Sequence, residues 1–286
     1  SSIQGIIIPP SHNLVIYAVT AGGVSVAALY MGGYLSGILL GLCLAVYCFF
    51  VAKKRHYPRA EKFTIKNFLR ALWLALPALG AMLVVVGSVL LGWMTATEAA
   101  AAACIYTFIF TFIVEKAGTV KDIYVAFSRT IRTIGSVLIL AACATAFSWV
   151  ITYLRIPQMV TAGLFAITTN KYVMLLIINA ILLIMGCFMN MVSIVYIMTP
   201  ILLPIVTSFG MHPVTFGIMM IMNLGIGLLT PPVGQVLFVG SSISGLSVER
   251  LTKALLPQMA FMVIALILIT LIPSVTMWLP TVLGYI

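Results

Sequence analysis

The apolar positions of this chain fall in long, nearly unbroken runs rather than the half-filled stripes of water-facing helices, and short basic or polar connections separate them. Runs at about 27–52, 69–92, 97–114 and 133–154 are long enough to cross a bilayer as helices. Between them lie the basic K-K-R-H-Y-P-R at 53–59, an interfacial stretch at 59–70, the polar W-M-T-A-T-E at 93–98 and a partly amphipathic connection at 116–132. Thr95 or Thr97 suits the N-cap of the third span, and Glu98 suits its positive end. Residues 155–170 are too short and interrupted to cross again and are placed at an interface. From 171 to 207, two apolar arms of about 15–18 residues flank Asn190 and Ser193, either as two full spans or as one re-entrant hairpin. The last span falls within 254–286.

Two segments break this pattern. N-L-G-I-G-L-L-T-P-P-V-G, residues 223–234, puts glycine, threonine and two prolines inside an apolar run. Pro231 and Pro232 have no N–H, so the carbonyls of Gly227 and Leu228 are expected to lack helical partners, and the helix is expected to open near Thr230. In hydrocarbon such carbonyls must be satisfied by protein, water or an ion, so an unwound break suits a cation. A simple proline kink would also explain one such segment. The stretch occurs twice, however: residues 5–29 align without a gap to 227–251, pairing Gly5, Pro9, Pro10, Gly23, Ser25, Val26 and Leu29 with Gly227, Pro231, Pro232, Gly245, Ser247, Val248 and Leu251. Interrupted apolar segments at matching positions of two halves point to a transporter's binding site. The first repeat enters only as its tail, so roughly 150 to 200 residues are expected to precede Ser1 in the parent protein.

Composition agrees. With 63% hydrophobic and 7% charged residues and a mean hydropathy of +1.23, the chain is expected to be an all-α, polytopic membrane protein. Cys43, Cys48, Cys104, Cys143 and Cys187 lie in apolar runs without ligand spacing, and are read as small buried hydrophobes. If 53–70 is cytoplasmic, 13 of the 15 Lys and Arg lie inside, leaving Arg155 and Lys171 outside. Topology thus explains most of the net charge of +10, which argues for neither nucleic acid nor an anionic substrate. The first broken helix then exits outside near Ser25 and the second inside near Ser247, so the repeats are inverted.

G-I-I-I-P-P-S at the start, T-A-T-E-A-A-A at 95–101, G-C-F-M-N-M-V-S-I-V-Y-I-M-T-P-I-L-L-P-I, and H-P-V-T-F-G-I-M-M-I-M-N-L-G-I-G-L-L-T-P-P-V-G resemble the large membrane subunit of TRAP (tripartite ATP-independent periplasmic) transporters over essentially the whole chain. Many dicarboxylate-type members carry aspartate in G-x-F-L-D where this chain has Asn190, a departure similar to the sialic-acid branch. The resemblance implies sodium-coupled uptake of an organic acid by an elevator fold in the bacterial inner membrane. Its partners would be a periplasmic substrate-binding protein, a small membrane subunit and the rest of the large subunit. It divides the chain into a broken helix at 1–26, scaffold-type spans at 27–154, hairpin and second broken helix at 155–253, and a last span at 254–286. Its hairpin tips and helix breaks match Ser2, Gly5, Pro9, Gly186, Asn190, Gly227, Thr230, Pro231 and Gly234 for Na+, and Ser11, Asn13, Asn190, Ser193 and Thr230 for substrate. Carbonyl and hydroxyl oxygens suit sodium without a carboxylate, and helix N-termini suit an anion. The periplasmic protein would dock near Ser25, Glu98 and Arg155.

Other residues receive plainer readings. His12 is a packed or interfacial histidine beside the first break, and His56 belongs to a basic loop. Arg129 and Arg132 snorkel, the methionines fill core, and Gly32, Gly33, Gly37 and Gly41 permit close helix packing. H-E-x-x-H, G-x-S-x-G and P-loop motifs do not occur, which argues against a membrane-embedded enzyme. A passive channel would not need paired breaks. A C4-dicarboxylate or other organic-anion carrier, with or without a binding protein, is the nearer alternative.

Overall fold

The computed structural model describes residues 2–55, 64–168 and 170–286. The expected basic segment 53–59 is described through Arg55; His56, Arg59 and the start of the interfacial stretch lie outside the described residues. The elements are α1 (Ser2–Ile7), α2 (His12–Thr20), α3 (Val26–Arg55), α4 (Ile65–Leu90), α5 (Ala96–Ile109), α6 (Val120–Tyr153), α7 (Ile156–Ile167), α8 (Lys171–Phe188), α9 (Met191–Ser208), α10 (Pro213–Gly227), α11 (Gln235–Ser244), α12 (Val248–Leu271) and α13 (Ser274–Val282). A π-helical turn, Phe110–Val114, extends α5. Among the described residues there is no strand, and seven helices are long and apolar enough to cross a membrane.

Several boundaries differ from the sequence expectation. From Val120 on, the connection at 116–132 and the span at 133–154 form one helix ending at Tyr153, because no Pro or Gly interrupts 120–134 and Thr119 with Asp122 caps its start. The last span begins earlier, at Val248, and Pro273 separates it from α13. Of the cysteines only Cys187 is buried; Cys48, Cys104 and Cys143 are exposed. An apolar side chain on a membrane helix can face lipid as well as core, so an apolar run does not imply burial in protein.

The chain divides into two compact units, one of Ser1–Val51 with Leu140–Ile286, the other of Ala52–Ile139. The first is built around α10, whose residues from Val214 to Gly227 are all buried. Tyr17 on α2 donates to the carbonyl of Pro213 at 2.7 Å and sets its ring against Phe216. Ile3 on α1 lies over Gly225 near the other end, so α1 and α2 run antiparallel to α10. Thr215 and Thr276 share a hydrogen bond of 2.7 Å that ties on α13. The glycines of α3 do allow close packing: a Cβ on Gly33 would stand 2.6 Å from the Ile7 carbonyl oxygen, and Gly37 and Gly41 meet Ile8 and Gln4. In the second unit α4 and α5 pair, with Tyr106 donating to the carbonyl of Pro77 at 3.2 Å over Gly80.

Candidate functional site

Both sequence repeats are structural repeats. At the first, α1 stops at Ile7 and α2 starts at His12; at the second, α10 stops at Gly227 and α11 starts at Gln235. The offset of Pro231 from Pro9 also carries Ser25 to Ser247, the N-caps of the helices that follow, and carries Gly23 to Gly245, both with positive φ. The Pro9–Pro10 and Pro231–Pro232 peptide bonds are both cis.

The second break is better satisfied than the sequence suggests. The carbonyl of Gly227, expected bare, accepts the N–H of Thr230 at 2.9 Å, and that of Leu228 accepts the N–H of Val236 at 3.2 Å. A tight turn and a bond across the break replace the helical partners that the prolines remove. The hydroxyl of Thr230 donates to the Ile226 carbonyl at 2.9 Å. Gly234 adopts a left-handed conformation, φ 49° and ψ 63°, where a side chain would be strained, and α11 begins directly after it.

The chain reverses between α8 and α9 through Met189 and Asn190, whose Oδ1 caps α9 by accepting the Val192 N–H at 2.9 Å. This hairpin tip sits on the second break. A Cβ on Gly227 would stand 2.7 Å from the backbone of Gly186, so the helices cross where both residues lack side chains. Beyond that crossing the N–H of Val233 donates to the carbonyl of Cys187 at 3.3 Å. Gly186, Asn190, Gly227, Thr230, Pro231 and Gly234 are thus gathered at one tip and one break. Ser193 lies on the first turn of α9 and borders a cavity of about 310 Å³.

At the first break Ser11 is buried; its hydroxyl donates to the Ile6 carbonyl and accepts the Leu14 N–H. Pro9 is buried, Ser2 and Gly5 are exposed, and a Cβ on Gly5 would meet nothing within 4 Å. Asn13 is 4% exposed. Of the three residues assigned to partner contact, Ser25 and Arg155 belong to one compact unit and Glu98 to the other, and all three are exposed. Glu98 closes a capping box with Thr95, the N-cap of α5.

A buried amide cluster was missed. Asn223, on α10, is 0% exposed and donates to both the backbone and the side-chain oxygen of Asn179 on α8, each at 2.8 Å. Asn179 in turn donates to Thr270 on α12 at 3.0 Å. Asn179 is a lone amide in an otherwise apolar arm, a signal that could have found it. Among the described residues no group of three His, Cys, Asp or Glu side chains could hold a metal ion.

The sequence profile of the family described as "Tripartite ATP-independent periplasmic transporter, DctM component" matches residues 1–275. The chain is 39% identical over 279 residues to the uncharacterized protein YgiK of Salmonella typhimurium, covering 97% of this chain and 63% of that protein. It is 38% identical over 275 residues to the isethionate TRAP transporter permease protein DctMQ of Oleidesulfovibrio alaskensis, covering 96% and 43%. It is 33% identical over 286 residues to the sialic acid TRAP transporter large permease protein SiaM of Vibrio cholerae, covering 100% and 67%. The chain therefore spans less than two thirds of the first two relatives.

Proposed function

From the premise that this chain belongs to the DctM-component family of tripartite ATP-independent periplasmic transporters, as a multi-pass protein of the bacterial inner membrane, we propose that its parent protein carries out sodium-coupled uptake of an organic acid, sialic acid in the first instance. A periplasmic binding protein delivers the acid and a small membrane subunit completes the permease. The single observation that carries this reading is the hairpin tip seated on a helix break that recurs in the other repeat.

In this reading Na+ is cargo held by neutral oxygens. Each carbonyl of Gly227 and Leu228 spends one acceptor position inside the protein and retains another, and Thr230, which donates its own proton to Ile226, keeps its lone pairs. Such hard oxygen donors suit an alkali cation. Asn190, Gly186, Pro231 and Gly234 complete the sodium set on this side; Ser2, Gly5 and Pro9 form its counterpart at the first break. The anionic head of the substrate meets the N-termini beside Ser11, Asn13, Asn190, Ser193 and Thr230. Because the Gly186–Gly227 crossing and the Val233–Cys187 bond lock hairpin to break, the two travel together, as an elevator requires. The functional division is then transport segments at 1–26 and 155–253, with scaffold-type spans at 27–154 and a last span at 254–286. Ser25, Glu98 and Arg155 meet the binding protein.

The test is uptake of labelled sialic acid by the full-length parent in vesicles, with and without an inward sodium gradient and with and without the binding protein. Uptake that needs both is the expected result. Sodium-dependent uptake of free acid would make it a standalone carrier, and uptake of a C4-dicarboxylate or isethionate instead would replace the substrate.

A further inference from the structure

Two adjoining cavities run along α9 from the hairpin tip. The first, about 310 Å³, is lined by Ser193, Tyr196 and Ile197 with Cys143, Ala144 and Phe147 of α6. The second, about 480 Å³, shares Ala144 and Tyr196 with the first and continues to Pro200, Thr20, Thr145 and Trp149. Ser193, Tyr196 or Ile197, and Pro200 are three to four residues apart, so they form one ridge about 10 Å long. A path of this size suits a small organic molecule.

The chemistry of the lining selects what can lie there. No Lys, Arg or His lines either half-open cavity among the described residues, so a second carboxylate entering it would meet no counter-charge. The lining is not purely apolar, however. Neither the phenol of Tyr196 nor the indole N–H of Trp149 has a hydrogen-bond partner among the described residues, and Trp149 is held by stacking on Tyr153 at 5.5 Å. Thr20 and Thr145 donate to the carbonyls of Ile16 and Ala141, each at 2.8 Å, and so turn their acceptor lone pairs outward. Pro200 has no N–H to give the Tyr196 carbonyl, which removes that oxygen's α-helical donor. Donors and acceptors are therefore offered together, without charge. An alkyl tail would leave them unpaired, and a neutral tail bearing hydroxyl or amide groups would pair them.

We infer that Tyr196 and Trp149 are specificity-determining residues that hold the neutral, hydroxyl-rich tail of an elongated monocarboxylate whose anionic head lies at the hairpin tip. The inference rests on the transport function proposed above and narrows its substrate class: the cavity favours a sugar acid over a dicarboxylate or a short sulfonate.

The test uses the full-length permease with its small subunit in proteoliposomes. N-acetylneuraminate, and its C7 analogue shortened by the two terminal carbons of the glycerol tail, are each supplied as the preformed complex with the binding protein. Y196F and W149F are expected to lower kcat/KM for the full-length acid by roughly three- to tenfold, the worth of one hydrogen bond, while changing the shortened acid by less than about twofold. The half-saturating sodium concentration should not move. Equal losses for both acids would mark a structural role and overturn the inference, as would unchanged uptake of both. Wild-type uptake of succinate or isethionate, but not of either sugar acid, would leave sodium-coupled transport standing and overturn the tail site. No binding-protein-dependent uptake of any acid would overturn both.

Discussion

Gly227 shows how much one hydrogen atom in place of a methyl can decide. Its missing Cβ would fall 2.7 Å from the backbone of Gly186, and backbone cannot rotate away as a side-chain tip can. Gly227→Ala is therefore expected to force α10 and α8 apart, destabilising the protein by about 1–3 kcal/mol and reducing uptake. Gly87→Ala, where nothing lies within 4 Å, should be neutral or stabilising by up to about 1 kcal/mol because alanine favours helix. Thermal unfolding of the two variants in detergent checks the opposite signs. Glu98 repays the same attention. Its carboxylate accepts the Thr95 N–H at 2.7 Å, so charge reversal removes that half of the capping box as well as a surface charge. Glu98→Gln preserves an acceptor and separates the two effects.

At the scale of elements, several helix starts carry a side-chain cap, and that of α10 is a histidine. His212, in the connection between α9 and α10, accepts the N–H of Val214 on Nδ1 at 3.2 Å. Burial holds its pKa below the ordinary value of 6.5, so the neutral form that can accept is favoured by folding. The cap's contribution is complete above about pH 6.5 and is lost as the pH falls through the lower folded value. The melting temperature should fall on acidification through this window, and His212→Asn, which caps without titrating there, should remove the His212 component of that fall. A profile unchanged by the substitution would assign the pH dependence to other groups. The elements also explain how α9 passes through Pro200 and Pro204 without stopping: α2, α8 and α10 pack around it, and tertiary contact outweighs local propensity.

For the whole molecule the decisive quantity is the distribution of charge across the membrane. If the basic segment 53–70 is cytoplasmic, as the positive-inside rule favours, Arg155 falls on the periplasmic side; it lies at the exposed link between α6 and α7 with φ 54°. Arg155→Glu is expected to weaken binding-protein-dependent uptake while leaving expression intact, with a loss that shrinks in high salt because exposed charges are screened. Glu98→Gln should act in the same direction with its helix cap preserved. Normal uptake by both variants would remove these residues from the docking surface.

The sequence alone determined the all-helical, membrane-spanning class, the duplicated breaks at Pro9 and Pro231, and a helix start with Glu98 at its positive end, because each follows from local chemistry: run length, missing N–H groups and the helix dipole; which of Thr95 and Thr97 caps that helix was decided by the structure. It could not determine where the freed carbonyls go, since Leu228 finds its donor eight residues on, in the next helix, and Val233 finds its acceptor in the hairpin. Nor could it bring Asn179, Asn223 and Thr270 together, or set Tyr196 and Trp149 along one cavity, because residues distant in the chain meet only when helices pack. Periodicity reports which face of a helix is apolar; in a membrane both core and lipid accept that face, and only packing chooses between them.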